Sequence, residues 1–418
     1  MSGDESMSSP PIEGTEVKIS QADLQDDDRL ARFDLIHWWK REKLAHANIL
    51  VIGAGALGNE ILKNLALLGC KRVLVVDMDD IETSNLSRSI LFRSSDIGKP
   101  KAETAARATR EIFDEMEVVS LDANVIYGVG MGVFRWADVI LAGLDNREAR
   151  LWINDSAWKM NRPWIDGAIE GIDGVARVFI PGTPPCYACT LGETDWQILQ
   201  KRKACHMLTR EDVLSGKTPT TPTTSSIIAG IQVQEAVKLI HDLPVLAGRG
   251  YNFEGLNHTS YTVTYTENKN CQSHQTHQDI IELDQKSSEM TLRALFERAQ
   301  ADLGEERVQL NFSREIIHKL TCPSCEEEEV LFSPAGTVSE EAGKCTACSD
   351  HPMRKLELVN KYTGKEDFGD RTLDAIGLPL LDLFIGRSMQ GEVAYLMMGD
   401  RSSVLGSLAS RPSPNTEE

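Results

Sequence analysis

Residues 49–58 read ILVIGAGALG, an apolar run delivered straight into Gly53, Gly55 and Gly58. The spacing G-x-G-x-x-G at the end of a strand narrows the choice of folds sharply. Glycine is needed there where the backbone turns tightly and lets a phosphate approach, and the helix that follows offers its unpaired N–H groups to that anion. A second such run, Arg72 to Asp77, comes after a helical segment, Asn59 to Leu68, making a strand–helix–strand unit with a right-handed crossover. The runs Val118 to Leu121, Val139 to Ala142, Trp164 to Gly167 and Val175 to Ile180 continue the pattern, with helical stretches Lys99 to Phe113 and Asn146 to Lys159 between them. This alternation predicts an α/β fold, a Rossmann-like, mostly parallel sheet with helices on both faces.

A chain of 418 residues is too long for one ordinary core and divides into a large and a small domain. Residues 1–20 and 407–418 are polar and rich in Ser and Pro, and read as disordered tails. Residues 21–279 form the large domain, with a polar crossover loop at 190–224 ending in KTPTTPTT. Thr224 or Ser225 then caps an apolar helix to Ile240, and Tyr261 to Thr266 alternates as a strand. Residues 280–406 read as a small α+β domain: strands at Ile280 to Leu283, Val308 to Leu310, Arg354 to Val359 and VAYLMM, and a helix at Thr291 to Leu303. The net charge of −19 leaves no basic stripe for nucleic acid. No apolar run reaches the roughly 18 residues of a membrane span, and Met1 to Pro11 lacks the pattern of a signal peptide, so the expectation is a cytoplasmic protein. Cysteines at short paired spacings in such a chain point to metal or catalysis rather than disulfides.

Asp77 ends the second strand, where its carboxylate can accept from ribose hydroxyls, and with the glycines alone this would suggest a nicotinamide dehydrogenase. The next residues argue otherwise. DMDDIETSNLSRS places Asn85 and Arg88 just past that strand tip, GKPKAE places Lys101 at the start of a helix, and LAGLDNREAR places Asp145 at another tip. Cations gathered there suit a triphosphate that leaves as pyrophosphate, and a carboxylate suits Mg²⁺ between phosphates. Taken singly, Asn85 and Arg88 are also plain turn residues, Lys101 a solvated helix end and Asp145 a helix cap.

Together, GAGALGNE, DMDDIETSNLSRS, DIGKPKAE and GLDNREAR resemble the ATP-binding motifs of the ubiquitin-activating, MoeB and ThiF family of adenylyltransferases, over roughly Asp28 to His274. The resemblance implies that Gly53, Gly55, Gly58, Asp77 and Asp79 hold the nucleotide, that Asn85, Arg88 and Lys101 hold its phosphates, and that Asp145 holds magnesium. It also implies that DRLARFD supplies an R-x-x-R segment, with Arg29 first and Arg32 reaching the γ-phosphate, often across a dimer interface. One departure is Ser89, where the family usually has Gln.

Cys186 and Cys189 have zinc-knuckle spacing, and Cys322, Cys325, Cys345 and Cys348 read C-x2-C-x19-C-x2-C, a zinc-ribbon signature. The family places a second pair after the long helix and strand, so Cys271 and His274 of NCQSH complete a Cys₃His set by resemblance, with His277 the alternative fourth ligand. Two separate structural zinc sites follow; sharing one metal between the first pair and a ribbon pair would leave a pair without partners. Cys70 reads as a packing residue. Cys205 stands in KRKACHML, where Lys201, Arg202 and Lys203 would lower its pKa, and the resemblance implies that the catalytic cysteine of the ubiquitin-activating branch lies in this loop.

The reading that results is an enzyme that uses ATP and Mg²⁺ to adenylate the C-terminal glycine of a ubiquitin-like protein, carries it as a thioester on Cys205 and passes it to a conjugating enzyme. Arg32, Arg88, Lys101 and Asp145 serve the first step. By resemblance the small domain, read as ubiquitin-fold-like, would dock the conjugating enzyme, and the chain would work as a homodimer or a family-type heterodimer. Two alternatives use the same motifs: an adenylyltransferase for a sulfur-carrier protein, and an inactive scaffold partner of an activating enzyme.

Overall fold

Unbroken burial, rather than alternation, marks the central strands, as a sheet covered on both faces requires. The computed structural model describes residues 28–203, 219–277 and 279–410. In its first part α1 (Arg41–His46) leads into β1 (Asn48–Ile52), α2 (Ala56–Leu67), β2 (Arg72–Asp77), α3 (Lys101–Ile112), β3 (Glu117–Asp122), α4 (Met131–Trp136), β4 (Val139–Gly143), α5 (Arg147–Lys159), β5 (Trp164–Glu170) and β6 (Asp173–Phe179). Then come α6 (Glu193–Lys203), α7 (Pro222–Ile240), β7 (Arg249–Glu254) and β8 (Thr259–Thr264). The eight strands lie in the order β3-β2-β1-β4-β5-β6-β7-β8, parallel as far as β5 and antiparallel beyond. Ile49 and Val51 pack with α2, α3 and α7 on one face, while Leu50 and Ile52 pack with α4 and α5 on the other.

The second part holds β9 (Ile280–Leu283), α8 (Leu292–Leu303), β10 (Gln309–Thr321), β11 (Glu328–Pro334), β12 (Lys355–Tyr362), β13 (Leu383–Arg387), β14 (Glu392–Met397) and α9 (Arg401–Leu405). Its sheet runs β11-β10-β13-β14-β9, with β12 also paired to β10. Leu292, Leu295 and Ala299 of α8 cover one face together with Tyr362, Phe384 and Tyr395. The other face joins the first sheet's core, where Leu383, Ala394 and Leu396 pack with Val133, Phe134 and Ile140. Arg314 pins this junction: Nη1 donates to the Ile126 carbonyl at 2.6 Å, Nη2 to the Val129 carbonyl at 3.2 Å, and the guanidinium lies 4.6 Å from the Trp152 ring.

Several local expectations are corrected. The cap of α7 is Thr221, whose Oγ1 accepts from the Thr224 N–H at 3.3 Å, not Thr224 or Ser225. Pro222 starts the helix because the first position needs no N–H donor and its φ is already helical. The polar crossover begins as helix α6, with Glu193 and Asp195 in its first turn, where acids favour the helix dipole. The strand expected at Tyr261 to Thr266 is Thr259–Thr264, and β10 runs far beyond Leu310. Ser407 to Ser410, expected to open a disordered tail, are packed instead: Leu408 is fully buried, and Arg72 Nη2 donates to the carbonyls of Leu408 at 2.8 Å and Ser410 at 2.7 Å. Among the described residues no helix is long and apolar enough to cross a membrane.

Candidate active site

The strand order turns back between β1 and β4, and the loops leaving these two strands meet there, at the kind of crevice where open α/β sheets bind ligands. Two of the three glycines are dictated by this meeting. Gly53 has φ +94, and a Cβ on it would stand 2.7 Å from the Gly143 carbonyl oxygen; a Cβ on Gly58 would stand 1.8 Å from the Gly53 oxygen. Gly55 is different, since among the described residues nothing lies within 4 Å of where its Cβ would be. It is the N-cap of α2 and supplies no side chain to the helix's leading N–H groups, so this turn is a cradle open to an anion.

Asp77 is fastened to that turn. Its Oδ2 accepts from the Ala54 N–H at 2.6 Å and its Oδ1 from the Asp79 N–H at 2.9 Å. Burial pushes its carboxyl above the ordinary range, against the pull of Lys101 and those two N–H groups. Lys101 Nζ donates to Asp79 Oδ2 at 2.7 Å, and the Lys101 N–H to the Asp79 carbonyl at 2.9 Å. Asp145, just past β4, has its carboxyl pushed up by the protein around it and then by the charge of Asp79, although its surface is exposed. Asn85 is buried in the turn Thr83–Ser87, where its Oδ1 accepts from the Glu82 N–H at 2.9 Å, and Arg88 Nη1 donates to the Ser84 carbonyl at 2.8 Å. Ser89 is buried with a hydroxyl that has no partner among the described residues. Arg32 stands exposed on the turn Ala31–Leu35 and, among the described residues, makes no bond to this group; Arg29 is taken up by the Ile112 carbonyl at 2.9 Å.

Behind the crevice lies a network that the motifs did not reveal. Asp166, fully buried on β5, accepts from Arg150 Nε at 2.8 Å and Arg177 Nε at 2.9 Å. Burial alone would raise its carboxyl, but the two guanidiniums hold it below the ordinary range. Arg150 also donates to the carbonyls of Leu144 and Gly167, so it fixes the loop that carries Asp145. Gln232 of α7 reaches through to the Ala142 carbonyl at 2.8 Å. One signal was legible: Asp166 and Arg177 are charges inside apolar strands, and a buried charge requires a partner.

The donor atoms of Cys186, Cys189, Cys271 and His274 all lie within 4.8 Å of one another, and so do those of Cys322, Cys325, Cys345 and Cys348. Cys186 Sγ is 3.8 Å from Cys189 Sγ and 3.6 Å from Cys271 Sγ, and Cys189 Sγ is 3.3 Å from His274 Nε2. In the second cluster Cys322 to Cys348 and Cys325 to Cys345 are both 3.8 Å. Thiolates at about 2.3 Å from a tetrahedral zinc stand about 3.8 Å apart, so both sets fit such an ion and could hold one. His274 stacks on Trp158 at 4.6 Å, whereas His277 turns its Nδ1 to Glu392 at 3.4 Å and stands outside the cluster. Cys70 is fully buried, and burial pushes its thiol up to about 12. Cys205 lies outside the described residues.

A model of the ThiF family matches residues 28–274. Over 159 residues, 35% of this chain and 35% of the relative, the sequence is 42% identical to the NEDD8-activating enzyme E1 catalytic subunit of Arabidopsis thaliana. Over 152 residues, 36% of this chain and 26% of the relative, it is 40% identical to the SUMO-activating enzyme subunit uba-2 of Caenorhabditis elegans. The match thus spans about a third or less of these curated relatives. The structure of E. coli MccB solved with ATP superposes with a TM-score of 0.50 at 20% identity, covering 60% of this chain and 75% of that one, a likeness of fold.

Proposed function

From the premise that this chain belongs to the ThiF family, we propose that it adenylates the C-terminal carboxylate of a ubiquitin-like protein. The observation that carries the reading is the open cradle over Gly55, set beside Asp77, Lys101 and Asp145 at the point where the strand order turns back. Each Asp77 oxygen accepts one backbone N–H and keeps a lone pair for a ribose hydroxyl. The amide donor end of Asn85, the guanidinium of Arg88 and the leading N–H groups of α2 face the phosphates of ATP, and Lys101 exchanges Asp79 for them. Asp145, with Asp79 nearby, receives the Mg²⁺ that accompanies ATP. The attacking carboxylate forms a bond to the α-phosphorus, and the bond to pyrophosphate breaks. The protein supplies alignment and charge neutralisation and needs no nucleophile of its own for this step. In this reading Arg32, exposed before α1, serves a second chain's ATP in a dimer.

The same reading gives Cys205 the second step: its thiolate attacks the acyl adenylate, AMP leaves, and the modifier is held as a thioester for transfer to a conjugating enzyme. Its support is the position of Cys205 between α6 and α7 and the basic residues before it in sequence. The two cysteine clusters hold structural zinc. Pyrophosphate exchange driven by the modifier tests the first step: Asp145→Ala should lower it roughly 100-fold or more, and Cys205→Ala should leave it intact. A reductant-sensitive adduct with the modifier, lost in Cys205→Ala, tests the second. Equal loss of exchange in both variants refutes this division of labour, and adenylation with no such adduct favours the sulfur-carrier reading.

A further inference from the structure

A cleft of about 340 Å³ lies between the second sheet and the segment that follows the first cysteine cluster, away from the crevice described above. One wall is a face of that sheet. Asn311 of β10 pairs with Lys361 of β12, and Gln309 of β10 pairs with Arg387 of β13, so these four alternate-position residues form a patch facing away from the core built on Leu310, Tyr362 and Phe384. The opposite wall is Lys159, at the end of α5, with Gln275 and His277. The two walls are tied together where His277 Nδ1 meets Glu392 of β14 at 3.4 Å, while the His277 N–H, donating to the Lys159 carbonyl at 3.2 Å, holds the second wall to itself.

Among the described residues the lining contains three cations and four carboxamides and no carboxylate, in a chain whose net charge is −19. Among the described residues neither Lys159 nor Lys361 has a carboxylate within ion-pair distance; Arg387 alone has one, Glu392 at 3.1 Å. His277 has a side chain only 7% exposed, and its Nε2 is buried with no partner among the described residues. Two lysines without a carboxylate partner and four amides around a small cleft raise a local positive potential that draws an anion there. The arrangement also selects among anions. A planar carboxylate is matched by a free, forked guanidinium, but Arg387 Nε is engaged by Glu392, and the remaining charges are lysine point charges on opposite walls. Such scattered donors suit a tetrahedral group with several charged oxygens.

We propose that this cleft binds the phosphoryl group of a small anionic metabolite. The volume is at the lower end of the roughly 300–1,000 Å³ of ligand sites, enough for a phosphate and a small attached group. The test uses the full chain with inorganic phosphate as probe, and reads the phosphate concentration that half-saturates its rise in melting temperature. Lys361→Glu, an exposed substitution, and Lys159→Ala should each shift that concentration upward at least tenfold, while Arg88→Ala in the nucleotide crevice should not. Protection lost in Arg88→Ala but kept in Lys361→Glu would place the ion in the crevice and overturn the proposal. So would no phosphate-dependent rise, or one unchanged in all three variants. Succinate protecting as well as phosphate, with the same pattern, would overturn the phosphoryl assignment.

Discussion

The two cysteine clusters are made of nearly the same ligands and sit against cores of very different size. The first gathers Cys186 and Cys189, after β6, with Cys271 and His274, after β8, so its members come from segments 85 residues apart. Cys186 is fully buried in the core that also holds Trp158 and Trp164, and next to it the Tyr187 N–H donates to Asn154 Oδ1 at 3.0 Å on α5. The second cluster gathers Cys322 and Cys325, on the short loop between β10 and β11, with Cys345 and Cys348, on the segment between β11 and β12. Its Cys322 and Cys345 are buried and its Cys325 is exposed, but its adjoining core is only Ile317, Leu320 and Val338 with a few partly buried neighbours. An ion in the first would couple α5 and the antiparallel strands to the body of the fold, whereas one in the second would organise a ribbon. Similar ligands therefore carry different weight according to what else depends on their position.

The largest expected effect breaks this comparison if it fails. Cys186→Ser should cost roughly 4 kcal/mol or more, the scale of losing a structural metal from a core, and should lower the yield of folded protein; Cys345→Ser should release one zinc and leave the main melting transition nearly in place. Atomic emission on purified protein should give close to two zinc ions per chain, falling to one in Cys345→Ser. Equal destabilisation by the two substitutions, measured by thermal unfolding, would erase the distinction.

Next in size is Arg150→Ala. It strips Asp166 of one of two guanidiniums in a fully buried site and frees the loop at Leu144, so a loss of about 3 kcal/mol is expected, with pyrophosphate exchange falling as well. A substitution beside the ribbon such as Lys319→Ala removes only solvent-facing pairs, with Glu328 at 3.2 Å and Glu357 at 3.8 Å, and should cost about 0.5 kcal/mol or less. Denaturant titration compares the two directly.

The pH dependence should follow the same division. The folded-state carboxyl of Asp166 lies below its unfolded value of 3.8, so the stability it contributes is fully present above that value and is lost as pH falls below it through the folded value. Asp166→Asn should flatten that part of the acid unfolding curve. Asp77 is shifted the opposite way: its raised carboxyl takes up a proton at higher pH than an ordinary aspartate, so nucleotide binding should weaken on the acid side while the fold is still intact. Calorimetric titration with ATP across that range checks the sign. Cys70→Ala, a small truncation away from both clusters, should cost about 1 kcal/mol or less and leave exchange unchanged.

Much of this molecule is written in short stretches of sequence. The glycine turn, the parallel strands, the helices between them and the ribbon's paired cysteines are legible because each depends on residues a few positions apart: a period, a cap or a ligand spacing. Strand β11 was missed because EEEEV shows no apolar alternation until it is paired with β10. What long-range pairing decides was not legible. His274 rather than His277 joins the first cluster because the chain after β8 lays one ring on Trp158 and the other beside Glu392. Arg150, Asp166 and Arg177 meet only once α5, β5 and β6 are assembled, and Ser407 to Ser410 are held because Arg72, far away in sequence, finds its acceptors there. Local spacing determines which chemistry a segment can offer; the burial of a charge or ring against a distant segment determines whether it is used, and that free energy exists only in the folded chain.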